Sequence, residues 1–460
     1  MGLEAGLLEM DRVVELVREK ALLERFSVDE GDAAPVLPEA VVFPRTSPQV
    51  AAVMQIANRH SIPVTPRGAG TNRVGGAVPC PGGIVMAMEH FGAHLDIDEA
   101  SARAHVGAST ITKALHDAAE SCGLFYGPDP SSSAECQVGG NVACNAAGPR
   151  AFKYGSTSQW VLGLEVVTAG GELLTLGAGT TKGVTGYNLK SLITGSEGTL
   201  AIVCGATLRL IPAAPEVATL LVSLKAEEDL VGAILALQKA RVRPRCLEFL
   251  DRQALQVLSG QSAGTFPASA RSLLLVELDG ADLSAPIERS ANLLMDAGAL
   301  EVRSARSTGE QAELWAPRRQ LSRLLRGLAK HKLSEDVVVP RAQVSPLLAR
   351  VRETCERLEL RNATYGHAGD GNLHVNFFWD DADEKRRVDA GVRSLFESVT
   401  ELGGSLSGEH GIGLTKAPYI ALELSNTQLE LQRRVKETFD PKNILNPGKI
   451  FGSRVGHGSC

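Results

Sequence analysis

Apolar positions change their period along the chain. Val50, Val53, Met54 and Ala57 recur at helical spacing up to His60, behind Ser47-Pro48, which reads as an N-cap with proline at N1. Residues 62–66 form a short strand that runs into a glycine loop, and 82–88 form a second. Ser109 or Thr110 caps another helix, running to about Glu120. The chain therefore begins as α/β. From Trp160 to Ile211 the pattern shortens to β-rich runs at 161–168, 172–176 and 200–211, separated by Gly and Thr, as in an antiparallel sheet.

Ile211-Pro212-Ala213-Ala214-Pro215 is the clearest punctuation, and it sets a domain boundary. Beyond it, strands at 218–224, 272–278 and 375–378 alternate with amphipathic helices at 227–240, 285–297 and 345–358. That predicts an α+β domain with its sheet covered on one side. The tail is a helix at 427–439 followed by the turn-rich Asp440-Pro441-Lys442-Asn443-Ile444-Leu445-Asn446-Pro447-Gly448-Lys449. Three parts result: 1–213, 214–420 and 421–460.

Composition narrows the classes. A chain of 460 residues with 44% apolar content supports sizeable cores, and a net charge of −6 lacks the basic face of a nucleic-acid binder. The eight cysteines contain no C-x-x-C pair, so they read as free thiols of a reducing compartment. Glu4 and Glu9 interrupt the apolar N-terminus, which predicts an amphipathic helix, not a signal peptide. No apolar run approaches the roughly 20 residues of a membrane span. The expectation is a cytoplasmic protein, with peripheral membrane contact through a partner left open.

Arg67-Gly68-Ala69-Gly70-Thr71-Asn72 follows a strand, and its glycines let backbone N–H groups turn towards an anion. Position 73 is Arg where a third glycine would stand, and no helix pattern follows, so the loop is not a Rossmann fingerprint. Three further stretches strengthen that reading: Cys136-Gln137-Val138-Gly139-Gly140-Asn141-Val142-Ala143-Cys144-Asn145-Ala146-Ala147-Gly148, which suits a backbone wrapped around a flat ligand, and Lys182–Leu189, which precedes Gly195-Ser196-Glu197-Gly198-Thr199-Leu200, where the chain again needs permissive φ/ψ beside a polar side chain. The first of these is too rich in glycine and small residues for an ordinary element.

A second constellation lies in Gly366-His367-Ala368-Gly369-Asp370-Gly371-Asn372-Leu373-His374 and Ser407-Gly408-Glu409-His410-Gly411-Ile412-Gly413. His367 and His374 face opposite ways on a regular strand, and the glycines oppose a helix, so a loop must fold one imidazole back beside the other. With Glu409 as third ligand they suit Zn²⁺ or another divalent ion with an open position. His410 is then left as a base.

These stretches, in this order, resemble the FAD-binding domain of the vanillyl-alcohol-oxidase/p-cresol-methylhydroxylase superfamily. With the histidine motifs the chain is similar to its FAD-linked D-2-hydroxyacid dehydrogenase branch, which holds the glycolate oxidase catalytic subunit, D-lactate dehydrogenase and D-2-hydroxyglutarate dehydrogenase. The resemblance implies an α+β fold: a two-subdomain FAD-binding domain (1–213), a substrate or cap domain with an antiparallel sheet and the metal site (214–420), and a C-terminal segment (421–460) returning to the FAD domain. It implies that Pro66, Arg67, Gly68, Ala69, Gly70, Thr71 and Asn72 hold the pyrophosphate. Pro128, Asp129, Gly139, Gly140, Asn141, Asn145 and Gly148 would line the flavin, Glu197, Gly198 and Ile202 would meet the adenosine side, and Asn446 would return to the isoalloxazine. Residues 66–76 contain no histidine, so FAD is expected to be non-covalent.

The resemblance also maps the metal ligands onto His367, His374 and Glu409, with zinc foremost, and the base onto His410. Trp315-Ala316-Pro317-Arg318 resembles the family's W-x-x-R, making Arg318 the expected carboxylate clamp, with Arg319 its competitor. Asn376 matches a substrate contact, expected to donate, and Ser322 is a further candidate. In such a site the ion lowers the pKa of a 2-hydroxy acid's hydroxyl, His410 takes the proton and flavin N5 takes the hydride. Members acting on dicarboxylates tend to carry lysine where this chain has Ser334, which tilts the reading from 2-hydroxyglutarate towards D-lactate or glycolate. A non-catalytic flavin-holding subunit of a multi-subunit oxidase and a metal-dependent hydrolase are the readings of other classes; the intact Glu409-His410 pair opposes the first, and the second leaves the glycine loops unexplained. Quinone, cytochrome, electron-transferring flavoprotein and an iron–sulfur subunit are all compatible acceptors, and a homodimer is compatible too.

Overall fold

The computed structural model describes residues 2–239, 241–259 and 266–452. Ala240, which ends one expected helix, and 453–460 of the expected C-terminal segment, with Cys460, lie outside them. The chain divides into two compact units: Met1–Gly148 with Gly155–Ala213 and Glu409–Cys460, and Pro149–Tyr154 with Ala214–Gly408. Chain punctuation alone does not set these borders. Lys153 and Tyr154 both bond Asp279, which draws Pro149–Tyr154 to the second unit. Glu197 accepts the N–H groups of Ile412 and Gly413, which ties the residues after Gly408 to the first.

The first unit holds two main sheets. One is four-stranded; in it Val64–Arg67 and Ala40–Phe43 both pair in parallel with Ile84–Ala87, while Glu15–Val17 pairs antiparallel at the edge. The other is a five-stranded antiparallel sheet in which Ile202–Arg209 lies between Arg103–Gly107 and Val161–Val167. Helix Ser47–His60 buries Val50, Val53, Met54 and Ala57, the stripe legible in the sequence. Full burial of Val50, Val53 and Met54 contributes about 1.5–3 kcal/mol each. Its cap is Thr46, whose side chain accepts from Gln49 N, because the hydroxyl of Ser47 is drawn to Glu165. Neither Ser109 nor Thr110 caps the helix Thr112–Ser121; they donate instead to the carbonyls of Phe91 and His94. The glycine-rich 136–148 stretch does contain a regular element, the short helix Val138–Cys144. Past helix Asn426–Phe439 the tail returns to the parallel sheet: Val64 N donates to Ile444 O (2.7 Å) and Asn446 N to Val64 O (2.8 Å).

The second unit is built on a seven-stranded sheet whose strand pairs are all antiparallel. Its helices cover both faces, not one. Helices Arg252–Ser259 and Thr308–Arg326 pack on the face of Leu250, Tyr365 and Phe378, through Ala254, Leu255, Leu314 and Leu321. Gly391 of helix Ala382–Glu401 meets Phe377, which alternation places on the opposite face. Strand Asn372–Trp379 is buried throughout, so its apolar run carries no alternation from which a one-sided cover is legible. Among the described residues no helix is long and apolar enough to cross a membrane.

Candidate active site

In the first unit, strand Val64–Arg67 delivers the glycine loop to a cavity of about 1290 Å3, which opens to solvent. Residues 66–73 form one wall, and helix Val138–Cys144, Glu197–Gly198 and Ile202–Val203 form others. Arg67 supports the loop from beneath. Its guanidinium stacks on Phe26 and donates to Val28 O, and a Cβ at Gly70 (φ +79°) would sit 2.1 Å from its Nη2. Only glycine fits there. Asn72 Oδ1 accepts from the N–H groups of Val74 (3.0 Å) and Gly76 (2.8 Å), and its Nδ2 reaches His410 O at 3.4 Å.

Gly139 lets the short helix press against Ala108, where a Cβ would come 2.7 Å from the alanine's own; a Cβ at Gly140 would meet nothing within 4 Å. The backbone is thus open to a ligand on that side. Asn141 Nδ2 is spent on Thr112 Oγ1 (2.6 Å). The buried Oε1 of Gln137, on the same wall, has no hydrogen-bond partner among the described residues. A long glycine-lined cavity with an orphaned acceptor suits a flat, polar-edged cofactor such as FAD.

Glu197 and His410 share this cavity. The two Glu197 carboxylate oxygens accept from Ile412 N and Gly413 N, each at 2.8 Å. Burial pushes its carboxyl above the usual range, and those two N–H groups partly oppose the shift. Asn446 (φ +44°) donates to Glu197 O (2.8 Å) and Gly76 O (3.1 Å), joining the tail, the 195–198 turn and the glycine loop.

In the second unit the hairpin of Arg361–His367 and Asn372–Trp379 turns within 368–371. The turn carries His367 back beside His374: their rings stand edge to face with centroids 5.3 Å apart. Both imidazoles are buried. Register places Glu248 opposite His367 and Asp336 opposite His374. Glu248 bonds His367 Nδ1 with one oxygen and accepts from Arg318 Nε with the other, at 2.8 Å. A carboxylate accepts, so the proton of that bond belongs on Nδ1. Asp336 Oδ1 lies 3.9 Å from His374 Nδ1, and its Oδ2 accepts from Gly408 N (2.9 Å) and Ser407 Oγ (3.1 Å). Gly408 ends this unit, and the next residue is Glu409. Two neighbouring imidazoles with carboxylates behind them are the donor chemistry of a divalent-ion site.

Family models bring these halves under one description. Residues 38–177 match an FAD binding domain, and 213–450, more than half of the chain, match the C-terminal domain of the FAD linked oxidases. The chain belongs to the FAD-linked oxidase family. It is 37% identical to the glycolate oxidase subunit GlcD of Bacillus subtilis (strain 168), over 93% of this chain and 92% of that protein. It is 35% identical to a D-lactate dehydrogenase of Anaerostipes hadrus, over 90% and 89%. Its fold matches that of p-cresol methylhydroxylase, solved with substrate bound, at a TM-score of 0.80 and 17% identity, covering 98% of this chain and 97% of that one.

In this FAD-linked oxidase, 66–72, Gly139, Gly140, Asn141, Glu197, Gly198 and Ile202 lie on the cavity wall, together with Glu409 and His410. Pro128, Asp129, Asn145, Gly148 and Asn446 do not; they shape it from behind. Pro128 O bonds the His116 ring, Asn145 Oδ1 accepts Ser158 N, and Gly148 crosses Asp129 so closely that a Cβ would lie 2.3 Å from its carbonyl. Of the two arginines, Arg318 reaches Glu248, while Arg319 is exposed and turns back to Ala312 O. Ser322 is half-buried on the same helix. Asn376 is buried, but its Nδ2 donates to Ala363 O and His374 O, leaving Oδ1 as the atom without a partner among the described residues. A donor to substrate was expected there, and the structure leaves an acceptor. Sequence reasoning missed Glu248 and Asp336; for Glu248 the signal was a charge inside the otherwise apolar strand Cys246–Leu250, whereas Asp336 stands in a strand of mixed polarity, His331–Val338.

Proposed function

We propose that this chain is an FAD- and divalent-metal-dependent dehydrogenase that oxidises a D-2-hydroxy acid to the 2-oxo acid, with D-lactate or glycolate favoured. The observation that carries this reading is the His367–His374 pair with its backing carboxylates, in a family member whose flavin cavity has His410 on its wall. The first unit is the FAD-binding domain and the second the substrate domain. His367, His374 and Glu409 hold the ion, zinc foremost; Gly408, fixed on Asp336, leads the chain directly into Glu409. When bound, FAD supplies the hydride acceptor and the ion supplies Lewis acidity towards the substrate hydroxyl.

The chain's own side chains do the rest. Arg318, held through Nε by Glu248, binds the substrate carboxylate. Asn376 and Ser322 flank the acid. His410 accepts the hydroxyl proton as the C2 hydrogen leaves with its electron pair. Ser334 stands opposite Asn376 in register, so no cation awaits a second carboxylate at that place, which favours a monocarboxylate over D-2-hydroxyglutarate. The electrons pass on to a quinone, a cytochrome, an electron-transferring flavoprotein or an iron–sulfur subunit. The enzyme works in the cytoplasm.

Anaerobic mixing with a panel of D- and L-2-hydroxy acids tests this. D-Lactate or glycolate should bleach the flavin absorbance, with metal content measured on the same sample. A metal-loaded protein that no acid of the panel bleaches would refute the reading; bleaching by D-2-hydroxyglutarate alone would replace the substrate.

A further inference from the structure

Strand Cys246–Leu250 is buried at every position, and Glu248 at its centre has no exposed surface. Burying a carboxylate is costly unless it is paired and hydrogen-bonded. Glu248 has two partners, one for each oxygen: His367 Nδ1 and Arg318 Nε. Arg318 is held from a second side, its guanidinium carbon 4.5 Å from the Tyr365 ring centre.

We propose that Glu248 is a positioning residue that sets ion affinity and acid affinity together. The inference rests on the reading of His367 as a metal ligand and Arg318 as the carboxylate clamp. Accepting from Nδ1 holds the imidazole in the tautomer that presents Nε2, fixes the ring plane and raises its basicity as a ligand. Accepting from Nε turns the guanidinium so that its two terminal nitrogens form the fork a carboxylate needs. One rigid carboxylate in mid-strand therefore keeps ion and acid in fixed mutual register.

Glu248→Gln is the informative variant, because an amide has one acceptor oxygen and cannot accept from both partners. Titration with a chromophoric chelator should show ion affinity falling by about 10- to 100-fold. At saturating ion the KM for the acid should rise more than kcat falls, while FAD content stays at the wild-type level. A folded, flavin-loaded E248Q with ion affinity and KM both within about twofold of wild type would overturn the proposal. Histidine-selective 15N NMR of the wild-type holoenzyme reads the same claim without a variant that must fold. The resonance missing from His367→Gln should report a protonated Nδ1, and a protonated Nε2 overturns the inference. A wild-type protein that takes up no divalent ion overturns the metal reading itself, and this inference with it. That outcome is distinguishable because the wild type fails, not the variant.

Discussion

At the residue scale, several side chains around the cavity spend hydrogen bonds on the protein itself. Asn72 and Glu197 accept from backbone N–H groups, Asn141 donates to Thr112 and Asn446 donates to Glu197 O, while glycines remain on the cavity wall. Glu197 is the sharpest case, since a residue assigned to the adenosine side holds the 411–413 backbone just past His410. His410 itself is the base in the proposed reaction. His410→Asn should retain flavin and metal yet slow substrate-driven flavin reduction by about 10²–10⁴-fold, read by anaerobic stopped flow. Reduction at the wild-type rate would remove it from the mechanism.

At the element scale, the C-terminal segment is fixed by one buried lysine. Lys436 donates to Thr199 O and Leu445 O, both at 2.8 Å, and pairs with Asp440. Burial lowers its pKa, and Asp440 opposes that shift. Lys436→Ala removes the countercharge of buried Asp440, which keeps only the N–H groups of Ile444 and Leu445, so it should cost about 3–5 kcal/mol in urea unfolding and loosen FAD by freeing the 440–446 segment. An unchanged midpoint and flavin content would show that the segment is held elsewhere. In the second unit, Asp251 accepts from Ala254 N (2.7 Å) and Thr364 N (2.6 Å), starting helix Arg252–Ser259. Burial pushes its carboxyl up to about 8, with Glu227 adding to the shift and the two N–H groups opposing it. The folded state therefore binds the proton more tightly than the unfolded chain. Its contribution to stability is full below about pH 4 and is lost as pH rises to about 8. Unfolding midpoints taken between about pH 5 and about pH 8.5 should fall more steeply for wild type than for Asp251→Asn; parallel profiles would reject the assignment.

At the scale of the whole molecule, the glycine-lined cavity is built from residues of the first unit, Glu409 among them, whereas His367, His374 and their carboxylates belong to the second. Chelation should therefore abolish turnover with D-lactate or glycolate while FAD stays bound, and Zn²⁺ should restore it; full activity in a metal-free sample would remove the ion from the mechanism. Flavin absorbance and metal analysis on one sample separate the two losses.

The sequence by itself determined the family, the glycine loop, the histidine motifs and most strands and helices, because each rests on local features: periodicity, permissive φ/ψ and side chains close along the chain. The Val50–Ala57 stripe, the non-helical 366–374 run and the choice of a loop over a Rossmann turn are of this kind. Only the tertiary structure decided what Glu248 and Asp336 do, because strand pairing brings them beside histidines 119 and 38 residues away. It alone separated Arg318 from Arg319, since which side of a helix meets the sheet depends on what packs there. The cap at Thr46, the other partners taken by Ser109 and Thr110, the helix at 138–144 and the two-sided cover of the large sheet fell to it for the same reason. A hydroxyl or a glycine takes the partner that folding supplies, and nothing in its neighbours along the chain names that partner.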